Sequence, residues 1–582
     1  MKRLGTFLSV FSVLGASMAA IVISAGPAGA ALPTGFSDFL VASVASPTAL
    51  AFTPDGRMLI TTQGGTVRVV KGGSLLPTAA LNLSSQLCSN SERGLLGVAV
   101  DPQFSSNGYV FVYYSFKKSA ACDSTTVNRV SRFVMTGDSL GGEVVLIDNI
   151  PSPTGNHNAG DLRFGKDELL YVSVGDGGCD YLTPTNCQNS NDAARDLNVL
   201  LGKIVRIDRN GNIPAGNPFT GTGTARCNVQ GVIATNLRCQ ETFATGLRNP
   251  FRMAFDPNAV GTRFHINDVG GSAWEEIDLG AAGADYGWNV REGHCAVGST
   301  TNCEPPPAGM TNPIFDYSHA DSCDTITGGA FVPNGVWPAE YQGKYLFGDF
   351  GCGKIFRLDP NGAGGYTRVD FATGLGTNSA VHMSFGPWGN SQALYYTSYA
   401  NGGQVRRIVH PAGTTVGDYD RDGDTDVAVF RPSTGTWFVQ GGPTTAFGTS
   451  GDIPVPADYN GDADTDVAVF RPSSGIWFVQ GGPITAFGTS GDIPVPADYD
   501  GDGDTDIAVY RPSTGTWFVL GGDTTAWGTS GDVPVPGDYD GDGDDDVAVF
   551  RPSSGVRFIW GGAAIAFGTS GDIALPVASP SV

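Results

Sequence analysis

From Gly417 onward the chain repeats itself almost identically with a period of 40 residues, the mark of a module built from recurring units. The unit reads "GDYDRDGDTDVAVFRPSTGTWFVQGG", and after Asp418 its first aspartate returns at Asp458, Asp498 and Asp538. Each copy opens with D-x-D-x-D-G-x-x-D, alternating carboxylates with a glycine at the sixth position, the pattern of an oxygen-ligand loop for calcium (Ca2+). Loop one offers Asp418, Asp420, Asp422 and Asp426; loop two Asp458, Asn460, Asp462 and Asp466. Loop three offers Asp498, Asp500, Asp502 and Asp506; loop four Asp538, Asp540, Asp542 and Asp546. A helical EF-hand needs glutamate at position twelve, but Val429, Val469, Val509 and Val549 stand there within strand-like "VAV" runs. These are therefore calcium loops between strands. Loop two carries Asn460 and Ala463 where the others have aspartate and glycine, so it is expected to bind most weakly. Trp437, Trp477 and Trp517 recur in step; they are expected to pack between sheets rather than stack on sugars.

Ahead of this module, residues 31–410 carry a looser repeat: an apolar run, a Pro/Asp/Gly turn, then a second apolar strand. It appears as "LAFTPDGRMLITT" from Leu50 and "LRFGKDELLYVSVGD" from Leu162, and returns as "MSFGPWGNSQALYYTS" from Met383. Six copies at roughly 60 residues each point to an all-β fold, a six-bladed β-propeller. A pair of β-sandwiches is the alternative but leaves the shared turn unexplained. Residues 411–416 read as a linker, followed by the four-repeat β module with calcium loops over 417–582.

Residues 1–30 have the form of a secretory signal peptide, with a basic start, an apolar middle and the small-x-small segment Ala28-Gly29-Ala30. The expected location is extracellular, with no membrane span in the mature chain. Ten cysteines, all before residue 353, agree with an oxidising compartment. Their order suggests local closures of Cys88 with Cys122, Cys179 with Cys187, Cys227 with Cys239, Cys295 with Cys303, and Cys323 with Cys352. The net charge of −23 argues against a nucleic-acid partner.

The chain has only six histidines, and His157 stands among small polar residues in "GNHNAGDLRFGKDELLYVSVGDGG". Two short strands, about Leu162–Gly165 and Leu169–Val174, joined by a turn at Lys166-Asp167, would form an antiparallel hairpin. That register brings His157 beside Asp176 at one end, and a carboxylate there fixes the imidazole tautomer and raises its basicity.

This segment, with "ERGLLGVAVDPQF", "GLRNPFRMAFDP", "WEEIDLGAAGADYGWNVREG" and "ITGG", resembles the soluble glucose/sorbosone dehydrogenases that use pyrroloquinoline quinone (PQQ). The resemblance implies a propeller that oxidises an aldose or related polyol. It makes His157 the general base, Asp176 its orienting partner and Arg248 the residue that polarises the quinone, with Asn249 and Glu92 against the cofactor. It also exposes departures. Gly351 stands where the family has a lysine for the cofactor's carboxylates, and Ser379 and Val381 stand where it has arginines. Lys354, Arg406 and Arg407 are the nearest candidates to compensate. His319 is a further candidate to meet substrate, and Glu275-Glu276 read as mainly structural. The C-terminal units resemble FG-GAP/VCBS-type repeats, which implies calcium-dependent attachment to a cell surface or polysaccharide. A non-catalytic propeller that binds carbohydrate or protein is the alternative reading.

Overall fold

The computed structural model describes residues 31–33, 36–183, 185–303, 305–319, 322–362, 364–388, 391–410, 417, 419, 426–440, 442, 444–460, 465–501, 504–539 and 544–573. The expected signal segment and linker lie outside these residues. So do Asp418, Asp420, Asp422, Asp462, Asp502, Asp540 and Asp542 of the expected calcium loops.

Among the described residues, helix is confined to Phe104–Asn107 and short 3-10 turns. The front of the chain forms six sheets of four or five strands. Five are consecutive meanders that begin at Pro47–Phe52, Leu95–Val100, Leu162–Phe164, Pro250–Phe255 and Ile326–Phe331. The sixth runs from Met383–Trp388 to Gln404–Val409, and its outer strand is Ser37–Ser43 from the other end of the domain. Ser37 pairs with Val409 and Ser43 with Gln404, so the first strand of the domain locks onto the last.

The first strand of each sheet meets the first strand of the next, and that of the sixth meets that of the first, which closes the set into a ring. Apolar residues explain the arrangement. Six buried clusters fill the six spaces between neighbouring sheets, for example Leu59 and Val67 against Val98 and Tyr114, or Leu346 and Ile355 against Met383 and Leu394. Each sheet is therefore buried on both faces, and Met58–Thr62, Leu170–Val174 and Tyr345–Asp349 are buried along their whole length. All ten cysteines pair as their order suggests.

Among the described residues the C-terminal repeats form a three-stranded sheet, Ala428–Arg431 to Thr444–Ala446, followed by three four-stranded sheets. Each four-stranded sheet takes its first strand from the segment that ends the preceding repeat, such as Ile453–Pro454 against Val469 and Phe470. Trp437, Trp477 and Trp517 are buried, and each indole N–H donates to a backbone carbonyl, of Phe447, Phe487 and Trp527, at 2.9 Å. They are packing residues, as expected.

Candidate functional site

The hairpin expected around His157 forms with Leu162 opposite Val172 and Phe164 opposite Leu170. Its turn spans Gly165–Leu169, slightly wider than the sequence suggests, because Gly165 N–H donates to Leu169 O. At the open end the chain passes very close to itself. A Cβ added at Gly175 would lie 2.1 Å from His157 O and 3.0 Å from Asn249 Oδ1, so only glycine fits there. His157 itself takes a left-handed backbone, with φ 50°.

This close approach sets His157 Nδ1 2.6 Å from Asp176 Oδ1. Asp176 is fully buried and saturated: Gly178 N–H donates to Oδ1 at 2.8 Å, and the Trp288 indole N–H to Oδ2 at 2.8 Å. Burial works against its charge, but the adjoining imidazole and the nearby Arg248 guanidinium outweigh that and hold its carboxyl below the usual carboxylate range. An ionised Asp176 accepts a hydrogen bond from Nδ1–H, which leaves Nε2 as the basic nitrogen of His157. The imidazole is only 11% exposed, and the residue borders a cavity of about 440 Å³.

Arg248 and Asn249 enter the same cavity from the loop before Pro250–Phe255. Their backbone N–H groups donate to Asp268 at 2.8 and 2.6 Å, which fixes the loop. Arg248 Nη1 donates to Val269 O at 2.9 Å, its guanidinium lies 5.4 Å from the Trp288 ring centroid, and its buried Nε has no partner. Asn249 Oδ1 accepts from Ala159 N–H at 3.1 Å, while its Nδ2 approaches Glu92 Oε2 at 3.3 Å. Four sequence candidates from three sheets, Glu92, His157, Arg248 and Asn249, thus share one cavity, with Asp176 directly behind the histidine.

Other expectations are placed elsewhere. Lys354 does not line the cavity; it pairs with Asp370 at 2.9 Å on the adjoining strand. Arg406 pairs with Asp38 at 3.0 Å, and Arg407 lies over the Phe39 and Trp388 rings, so neither reaches the cavity. His319 is held by the buried Glu275 at 2.8 Å, and this bond raises its pKa. Ser379 is buried and donates to Leu375 O, and Val381 presents only hydrocarbon.

Three participants escaped sequence reasoning. Trp288 fixes Asp176 from a different sheet connection, Asp268 anchors the Arg248 loop, and Arg252 lines the cavity from within a strand. The arginine spacing in "RNPFR" was the one visible signal, since a residue four positions from Arg248 on the entering strand faces the ring's centre.

Asp268, Glu276 and Asp278 bring carboxylate oxygens within 4.8 Å of one another, all buried, and neither oxygen of Asp278 has a hydrogen-bond partner. Burial pushes Asp268 up to about 7, and burial with mutual repulsion drives Glu276 and Asp278 well above the carboxylate range. A hard cation is the natural counter-charge for such a set. Glu275, by contrast, accepts Ile326 N–H and is structural. In the C-terminal repeats, Asp498, Asp500 and Asp506 also lie within 4.8 Å of one another. Asp426, Asp466, Asp506 and Asp546 accept the N–H of Tyr419, Tyr459, Tyr499 and Tyr539 at 2.7 to 3.0 Å, so this contact recurs in each repeat. In loop two Asn460 Nδ2 donates to Asp466 at 3.1 Å, an internal tie absent from an all-aspartate loop. No described helix is long and apolar enough to cross a membrane.

Comparison with known proteins gives the family and the fold. The family model for glucose/sorbosone dehydrogenase matches residues 44–376. An uncharacterized protein of Synechocystis is 30% identical over 378 residues, covering 62% of this chain and 83% of its own. The aldose sugar dehydrogenase of Escherichia coli is 27% identical over 326 residues, covering 54% of this chain and 78% of its own. The chain spans about half of the Arabidopsis thaliana HIPL2 protein, at 26% identity. The apo crystal structure of soluble aldose sugar dehydrogenase from Escherichia coli superposes with a TM-score of 0.52 at 24% identity, covering 64% of this chain and 99% of that one, which shows a common fold.

Proposed function

Because the chain belongs to the glucose/sorbosone dehydrogenase family, we propose that it is a secreted quinoprotein oxidoreductase acting on an aldose or related polyol. In this reading the six sheets are the blades of a six-bladed propeller, and the cavity at one mouth holds PQQ. The residues present suit such a group. A planar polyanion meets two guanidinium groups, Arg248 and Arg252, whose buried Nε atoms have no partner, in a space of ordinary ligand size. When bound, PQQ supplies an acceptor for the hydride leaving the sugar carbon.

The observation that carries the reading is the His157–Asp176–Trp288 chain opening on that cavity. Nε2 of His157 takes the hydroxyl proton of the sugar as the carbon loses hydride. Asp176, already ionised and tied on both oxygens, stabilises the imidazolium that forms and keeps the ring from turning. Arg248, fixed by Asp268 and Val269 O, would hold a positive charge beside the bound acceptor. Asn249 and Glu92 line the same cavity and approach each other at 3.3 Å. Replacing His157 by alanine should lower turnover with PQQ and aldose by about 10²–10⁴-fold in a protein that remains folded; unchanged turnover overturns the assignment.

The C-terminal repeats are read as a calcium-dependent module that attaches the enzyme to a cell surface or polysaccharide. Asp498, Asp500 and Asp506 support this. A second reading, a ring that binds carbohydrate or protein without turnover, draws on Ser379, Val381 and Gly351 at the positions where the resemblance puts cofactor-binding cations. It predicts saturable sugar binding with no dependence on PQQ.

A further inference from the structure

We infer that Arg252, rising from the floor of the cavity, is the cation that receives a carboxylate of the cofactor in place of the family's lysine and arginines. The inference rests on the quinoprotein reading above. Arg252 is 2% exposed and spans the centre of the ring from its own sheet to two others. Its Nη1 donates to Phe251 O at 2.7 Å, and its Nη2 donates to Thr48 O at 2.7 Å and approaches Leu96 O at 3.5 Å. Thr48 and Leu96 lie on the first strands of the first and second sheets, so the side chain is held rigidly across the channel.

Three carbonyls satisfy part of a five-donor group and leave Nε and one Nη1 hydrogen without a partner. Among the described residues Arg252 forms no ion pair within 4 Å, unlike Arg406 or Arg209. The guanidinium touches only neutral carbonyls; the attraction of the buried Asp161, with which it forms no ion pair, is opposed by Arg163 and outweighed by burial, so an arriving anion would relieve an incompletely compensated charge. The cavity is where that anion can arrive.

The far wall points the same way. Gly351 lies against Asp324, where an added Cβ would fall 2.3 Å from Oδ1, and Asp324 itself lines the cavity. Glycine supplies no cation there, and the Asp324 carboxylate stands on that wall. Val381, at a family arginine position, adds none in compensation. A polycarboxylate entering this cavity is repelled from the Asp324 side and attracted by Arg248 at the rim and Arg252 below.

The test measures binding rather than turnover. The full chain, free of cofactor, is titrated with PQQ and separately with its trimethyl ester, following Trp fluorescence, for wild type and for Arg252→Lys, Arg252→Gln and Arg252→Met. Wild type and R252K should prefer the free acid, and R252Q and R252M should lose about tenfold or more in affinity for it while binding the ester unchanged. If R252M does not fold, R252Q, which keeps an N–H donor for the carbonyls, decides against R252K. Binding of the free acid by R252Q as tight as by wild type overturns the role of Arg252 and leaves the quinoprotein reading standing. No binding of either ligand by folded wild type overturns the quinoprotein reading, and Arg252 falls with it.

Discussion

The two halves of the molecule use repetition in opposite ways. In the C-terminal sheets the repeats keep their side chains: Arg471, Arg511 and Arg551 each pair at 2.8 Å with Asp452, Asp492 and Asp532, and each lies 4.4 to 4.5 Å from a phenylalanine ring. In the front ring the strands repeat but the side chains do not. Sheet-to-sheet connections supply Glu92 from one place, His157 from the next, Arg248 from the next and Asp324 from another, all around one cavity. Identical repeats multiply one site, whereas divergent repeats on a ring assemble a single site from different residues. The first arrangement suits a ligand met several times over, such as a string of cations; the second suits one reaction.

Substitutions should separate the two halves sharply. The largest effect falls on the single site. Arg248→Met should reduce turnover by roughly 10²–10³-fold, the usual cost of losing one preorganised charge donor, with calcium binding by the repeats untouched. A parallel loss of calcium binding would break the division between the halves. Next is metal removal: chelation should melt a separate, earlier transition belonging to the repeats and leave the disulfide-tied ring folded, as followed by calorimetry with and without excess calcium. Calcium titration should then show a weaker site from loop two than from the others, since Asn460 is neutral.

Packing comes third. Trp517 is fully buried, so Trp517→Ala should cost about 3–5 kcal/mol of stability in the repeats and nothing in turnover. Arg511→Ala removes a pair whose guanidinium is 30% exposed, and its cost should be about 0.5–1 kcal/mol. The smallest effect is a pH dependence. The folded pKa of Asp176 lies below its unfolded value near 3.8, so its ionised form stabilises the ring above that pH. That contribution is lost as pH falls through the lower folded value. Asp176→Asn should flatten this acid limb of the melting curve and also lower turnover; an unchanged acid limb would show that Asp176 is not ionised in the fold.

How much of this was legible in the chain depends on how local each contact is. His157 and Asp176 could be paired from sequence because a hairpin's register is fixed by its own turn. The tryptophans of the repeats could be read as fillers because they recur in step. Trp288, Asp268 and Arg252 were not legible, because they meet the site only when separate sheets close into a ring, and nothing in their own neighbourhood marks the partner. For the same reason Lys354 misled. It is close in sequence to the expected cation position, but strand pairing directs it to Asp370.

The most direct test is to load the calcium-replete protein with PQQ, follow the cofactor's absorbance, and then add a panel of aldoses. The expected result is saturable binding followed by sugar-driven reduction that His157→Ala abolishes. Failure of the folded protein to bind PQQ at tens of micromolar, or binding with no reduction by any aldose, would contradict it and leave the ring as a binding protein.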